Sequence, residues 1–335
     1  MRLLILGGTQ FLGRATARLA VAQGHDVTCV ARGTSGTPVA GVRFVAADRS
    51  DPAGLAPLDG ERFDAAIDVT RWLDQAHHTV AALAGRVGHW SFVSSISVYA
   101  GFAAPGGGVA DTPLLPPAPE GVTGPGPDFQ WYGECKVSIE NLYAEAVERL
   151  FVCRAGLIIG PEDPSDRFPY WVRRLAAGGE VLAPGAPDDP VQYVDVDDLA
   201  AWLLHAAVTD LTGTYDGIGA PVPRVEALHG IAAGVGSPEP RLTWVNGAFL
   251  QSREIRPWSG ERSLPLWVPG AEWAGFLARD ARPALAAGLV TRPVSETARR
   301  TLTWMDADPG AVRQGGLDPV DEAAVLREWH ADGGR

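Results

Sequence analysis

The chain has 335 residues, 46 % of them hydrophobic, and a formal net charge of −12. That content supports a sizeable core in one large domain or two coupled ones. No apolar run is long enough for a membrane span, and an acidic chain without a basic stripe is a poor nucleic-acid surface.

The opening residues, MRLLILGG, read as a short buried strand entering a glycine turn. No cleavage region follows, so no leader peptide is expected here, and a cytoplasmic protein is expected. Helical periodicity covers residues 11–22. Short strands are expected at 27–30, 42–45 and 65–69, a helix at 79–84 and another strand at 90–94. This βαβ series implies an α/β fold, a doubly wound parallel sheet with helices on both faces. Residues 101–127, rich in Gly and Pro, form a long loop. A helix carrying WYGECKVSIENLYAEAVERL follows, then a strand over 151–159. Beyond Gly160 the alternation weakens. Helices are expected near 171–177 and 197–207, and the run 191–196 reads as a strand returning to the first layer. The tail mixes short helices with irregular segments bearing tryptophan. Such a lobe can line a pocket, or its aromatics can simply fill a loop-rich core. Two units are therefore expected: residues 1–160 with 190–220, and a smaller α/β substrate lobe of residues 161–189 with 221–335.

The turn GGTQFLG, residues 7–13, lies between strand and helix. Gly7 and Gly13 fit the outer positions of a G-x-x-G-x-x-G turn, with Gln10 in place of the middle glycine. Such a turn aims a helix N-terminus at a pyrophosphate and lets helix and strand approach closely. Gly7, Thr9, Gln10, Phe11, Leu12, Gly13 and Val69 are the expected dinucleotide contacts. The second strand ends in Ala31–Arg32, without the acid that binds a ribose 2′-hydroxyl. An arginine fork suits a 2′-phosphate, so NADP is expected over NAD, unless Arg32 is a solvated turn residue. Asp48 can accept a hydrogen bond from the adenine amino group or cap a helix.

Lys136 is the sole lysine among 28 basic residues. Tyr132 lies four residues before it and shares its helix face. A phenol is a poor base at neutral pH, but a nearby ammonium favours the phenolate. Tyr132 can then exchange a proton while hydride moves to or from a nicotinamide. Lys136 can also hold the nicotinamide ribose, a task that a planar guanidinium does not match. The run FVSSISVYA supplies a third group. Ser95 can polarise a substrate oxygen or orient the phenol, with Ser94 and Ser97 as competitors. The three isolated cysteines, Cys29, Cys135 and Cys153, lack metal spacing and read as buried hydrophobes; no metal is expected.

Together, GGTQFLG, FVSSISVYA, YGECK, RAGLIIGP and VQYVDVDDLA resemble the extended short-chain dehydrogenase/reductase family, also called the NAD-dependent epimerase/dehydratase family. The resemblance covers roughly the first 220 residues. It implies a seven-stranded Rossmann sheet, a catalytic set of Ser95, Tyr132 and Lys136, and often a homodimer. The GGT-x-FLG form also resembles an isoflavone-reductase-like or chloroplast stem-loop-binding-like subgroup. Departures narrow the chemistry. The stretch Ser95–Tyr99 lacks the acid pair of sugar dehydratases. Leu157 replaces the asparagine, and Val191 the arginine, that hold phosphate in nucleotide-sugar epimerases. A small, less anionic substrate is expected, such as an aromatic or polyketide-like carbonyl. Ser97, Arg167, Phe168, Tyr170, Trp171 and Gln192 are candidate substrate contacts, although core packing also explains the aromatics. The expected activity is NADP-dependent carbonyl reduction or alcohol oxidation. The alternatives are an epimerase with retained cofactor and a non-catalytic nucleotide-sensing or RNA-associated protein.

Overall fold

Leu3, Leu4, Ile5 and Leu6 are wholly inaccessible to solvent. They belong to β1 (Arg2–Leu6), near the middle of a sheet covered on both faces, where a continuous apolar run is expected. The computed structural model describes residues 1–237, 239–308 and 315–334. Its central sheet adds β2 (Asp26–Ala31), β3 (Arg43–Ala46), β4 (Phe63–Asp68), β5 (Val87–Ser95) and β6 (Leu150–Ala155). A seventh strand, Gly213–Gly217, closes the edge, and the spatial order is Gly213–Gly217, β6, β5, β4, β1, β2, β3. Every pairing within it is parallel. Strand order reverses at β1, and ligands of such sheets bind in the crevice beyond the strand ends there.

Alternation along β1 sends Leu3 and Ile5 to one face and Leu4 and Leu6 to the other. The first face packs under α1 (Phe11–Ala22) and α5 (Val196–Thr209), where Ala15, Ala17, Leu199 and Leu203 are buried. The second packs under α2 (Leu73–Leu83) and α3 (Tyr132–Ala146), through Ala76, Leu83, Ile139 and Tyr143. A separate apolar cluster gathers α4 (Arg167–Ala176), α6 (Arg224–Gly234), the parallel pair Glu180–Pro184 and Arg241–Val245, and the helices Val294–Ala307 and Pro319–Ala331. Residues 238, 309–314 and 335 of the expected second lobe lie outside the described residues. Acidic groups opening α5 tie the two clusters together. Asp195 caps the helix, accepts a 2.6 Å bond from Thr297 and pairs with Arg300, while Arg292 pairs with Asp198 at 2.6 Å. Among the described residues, no helix is long and apolar enough to cross a membrane.

Two expected strands differ. Residues 191–196 return to the first layer only in part: Val194 and Val196 pack in the apolar cluster of Leu3 and Ile5, but the run adds no strand to the seven-stranded sheet. Pro190–Val191 pairs antiparallel with Val222–Pro223, and Val194–Asp195 pairs with Ile158–Ile159. Between them Gln192 is buried, bonded to the Gly219 carbonyl at 2.8 Å and to both backbone groups of Arg279. The expected strand at 151–159 is two pieces broken at Gly156, where a Cβ would lie 2.4 Å from Ile218.

Candidate active site

A cleft of about 460 Å³ opens beyond the strand ends at the point of reversal. Gly7, Thr9, Gln10, Phe11, Leu12 and Gly13 form one wall. Tight backbone packing explains the glycines: a Cβ on Gly13 would lie 2.2 Å from the Gly7 carbonyl oxygen, and one on Gly7 would lie 2.5 Å from Val69. Gly7 also has φ +103°, a conformation open to glycine. Helix α1 begins beside the cleft without a side-chain cap at Gln10. Its first N–H groups have no intrahelical partner, and such a terminus favours an anion. Arg32 lies exposed at the end of β2, on the cleft rim. Val69 lines the cleft too. Asp48 does not; its carboxylate accepts a 3.0 Å bond from the Ser50 N–H within its own turn.

Ser95, Tyr132 and Lys136 line the same cleft. Strand β5 ends at Ser95, whose hydroxyl caps the following turn by accepting from the Ser97 N–H at 3.1 Å. The Ser95 and Ser97 hydroxyls are also 3.1 Å apart. Ser94 is committed elsewhere, donating to Glu140 at 2.5 Å. Gly133 lets α3 settle on this turn, since a Cβ there would be 2.3 Å from the Ser97 carbonyl.

Lys136 is buried, and its ammonium donates to the Thr70 and Val93 carbonyls at 2.6 Å each. It lies 4.7 Å from the Phe92 ring centre and 5.9 Å from that of Tyr132. Burial lowers its pKa to about 7, against the pull of Asp68 and Glu140. Both carboxylates are themselves held. Asp68 pairs with buried Arg49 at 2.8 Å and accepts from Tyr143 at 2.7 Å; Glu140 pairs with buried Arg154 at 2.7 Å.

Burial raises the Tyr132 phenol above its ordinary value, opposed by hydrogen bonding from Ser95 and by the charges of Arg71 and Arg167. In the free protein, therefore, the cations drawing the phenol down are two arginines rather than Lys136. Arg71 stacks on Phe129 at 5.2 Å, and Phe129 meets Tyr132 edge-on at 6.0 Å. Arg167 lines the cleft and stacks on Trp258 at 4.5 Å. Sequence reading missed Arg71, although it lies just past the end of β4, where a doubly wound sheet places its ligands.

The remaining candidates do not line this cleft. Phe168 and Trp171 are wholly buried in the second apolar cluster with Tyr170, and the Trp171 indole donates to the Pro265 carbonyl. Gln192 bridges backbone segments, as described above. Ser97 faces a neighbouring cavity.

The seven-stranded parallel sheet, with its reversal at β1, is the Rossmann-type fold of the extended short-chain dehydrogenases/reductases. The chain belongs to the NAD dependent epimerase/dehydratase family, whose profile matches residues 3–215. It is 46 % identical over 70 residues to dTDP-6-deoxy-L-talose 4-dehydrogenase (NAD(P)(+)) from Kitasatospora kifunensis. That match spans 20 % of this chain and only 22 % of the relative. The fold is similar to that of the Bordetella bronchiseptica enzyme WbmH in complex with NAD+, with TM-score 0.64 and 16 % identity over 92 % of this chain and 98 % of that one. A putative epimerase from Burkholderia cenocepacia J2315 gives TM-score 0.65 and 19 % identity, covering 91 % of this chain and 98 % of that one. Bordetella bronchiseptica WbmG in complex with NAD and UDP gives 0.65 and 18 %, covering 92 % and 95 %.

Proposed function

We propose that the protein is an NADP-dependent oxidoreductase acting on a carbonyl or alcohol of a small, non-nucleotide substrate. The observation that carries this reading is the meeting of Ser95, Tyr132 and Lys136 with the glycine turn in one cleft. The cleft suits a dinucleotide: Gly7 and Gly13 let the turn pack closely on Val69 and on its own backbone, α1 opens uncapped beside it, and Arg32 offers a fork for a 2′-phosphate. When bound, a nicotinamide supplies or takes up the hydride; a ketone gaining hydride at carbon and a proton at oxygen becomes the alcohol, and oxidation reverses both transfers. Tyr132 holds the exchanged proton on its phenol oxygen. Ser95 donates to the substrate oxygen, where charge develops. Lys136, tethered to two carbonyls, presents a compact polar head beneath the phenol. Arg71 and Arg167 stabilise the phenolate left after proton transfer.

The test begins with the cofactor. Purified protein is denatured, released nucleotide identified by mass spectrometry, and emptied protein titrated with NADPH and NADH. Exchangeable binding that favours NADPH is expected, followed by turnover in a screen of aldehydes and ketones. Tyr132→Phe should fold, keep its cofactor and lose roughly 10²- to 10⁴-fold in turnover; near-normal turnover overturns the assignment. A second reading, epimerisation with a retained cofactor, uses the same three residues and is favoured by the family match. Stoichiometric, tightly held NAD would select it.

A further inference from the structure

A second cavity, of about 710 Å³, adjoins the cleft. Tyr99, Phe102, Trp258, Trp273 and Phe276 form its walls. The rings brace one another: Phe102 stacks on Trp273 at 5.8 Å, and Phe276 meets Phe102 edge-on at 4.9 Å and Trp258 at 5.1 Å. The cavity reaches the reacting groups at two points. Ser97 lines it, and that hydroxyl is 3.1 Å from the Ser95 hydroxyl in the cleft. Trp258 lines it, and Arg167 of the cleft stacks on the same ring at 4.5 Å.

Its charge is unfavourable for a phosphate. Among the described residues that line it, Glu272 is the one ionisable group at neutral pH, and it is an acid. Two buried cations lie against Tyr99, and both are paired: Arg279, 3.6 Å from the ring centre, with Asp216 at 2.8 Å, and Arg154, 5.1 Å away, with Glu140 at 2.7 Å. Arg167 sits behind the Trp258 ring on the cleft side, so a nucleoside diphosphate placed here would lose its hydration with no cation among the lining residues to pair with. Leu157 and Val191 line neither cavity nor cleft; both lie buried in the second apolar cluster. A flat, neutral ring system suits the walls, because aromatic rings pair edge-on or offset with others. The volume falls within the range of small-molecule sites, roughly 300–1,000 Å³.

We propose that this cavity receives the body of the substrate, an uncharged fused-ring molecule whose carbonyl or hydroxyl oxygen extends to Ser95 and Tyr132. The inference rests on the oxidoreductase reading for its account of the oxygen, but the binding test stands apart from turnover. Protein loaded with NADP+ is titrated calorimetrically with 2-acetylnaphthalene and, separately, with UDP-glucose. Two variants probe the cavity. Gly101 lies on its wall, and a Cβ there meets nothing within 4 Å, so Gly101→Leu adds bulk at the wall without a steric clash. Trp273 is 41 % exposed, so Trp273→Ala removes a wall with little risk to folding.

The naphthyl ketone should bind, and each folded variant should weaken it at least about tenfold while leaving NADP+ affinity unchanged. UDP-glucose should neither bind nor compete. UDP-glucose binding that displaces the ketone, ketone affinity untouched by both variants, or no ketone binding would each overturn the proposal. Ketone binding that obeys the variants, with no redox turnover in either direction, would uphold the cavity and sink the oxidoreductase reading. Turnover of small aliphatic ketones, indifferent to both variants, would do the reverse.

Discussion

A chain with one lysine permits an unusually direct test of a buried charge. Lys136 is 3 % exposed, and burial brings its pKa from 10.5 to about 7. That displacement corresponds to roughly 5 kcal/mol in favour of the neutral amine. Protein labelled with ¹³C at the lysine ε-carbon gives a single resonance, which should titrate with a midpoint near 7. The same shift carries a stability consequence. Between the folded and unfolded midpoints the unfolded chain holds a proton that the folded chain lacks, so rising pH favours folding. The penalty is full below about pH 7 and is relieved as pH climbs toward the unfolded value. At about 1.4 kcal/mol per pH unit, the wild type should gain about 2.5 kcal/mol on Lys136→Met between about pH 7.5 and pH 9.5. Urea unfolding at both pH values reads this difference. A resonance midpoint near 10, with parallel stability curves, would refute the argument. It would mean that the Thr70 and Val93 carbonyls stabilise the ammonium more than burial penalises it.

Three further outcomes follow from the geometry. Gly13→Ala places a methyl 2.2 Å from a backbone oxygen; stability should fall by roughly 1–3 kcal/mol in thermal unfolding, and dinucleotide affinity should drop in titration. Arg32→Ala should weaken NADPH by roughly 10- to 100-fold, the worth of a charged hydrogen bond, while NADH changes little; equal losses would remove Arg32 from the 2′-phosphate. Glu140→Ala strands the buried Arg154 guanidinium and should cost about 3–5 kcal/mol in urea unfolding. Glu140→Gln should cost less, because its amide oxygen still accepts from Ser94 and Arg154.

The order of the first elements was legible because each carries its own local signal. Leu3–Leu6 is apolar on both sheet faces, and the glycine turn must separate that strand from α1, since Gly13 tolerates no side chain against Gly7. Tyr132 and Lys136 share a helix face by spacing alone. The stripe Phe168, Trp171, Val172 and Leu175 is also legible, following i, i+3, i+4, i+7, and all four side chains are wholly buried. The same periodicity assigns those aromatics to the core and leaves Arg167 to the cleft.

Partnership across the chain was not legible. The seventh strand, Gly213–Gly217, is an edge of GTYDG with no apolar run to announce it. The alternation in VQYVDV marks extended chain, but only the packed lobes decide that its two ends pair with different strands. Sequence identified Lys136 as exceptional. Its tether comes from Thr70 and Val93, 66 and 43 residues away, and its lowered pKa from the surrounding layers. Local sequence thus fixed which residues can form a strand, a turn or a shared helix face, because those choices depend on neighbours within a few residues. Tertiary structure decided which charges meet, which are stripped of water and which rings enclose a cavity, because burial and electrostatics depend on groups that only the folded chain brings together.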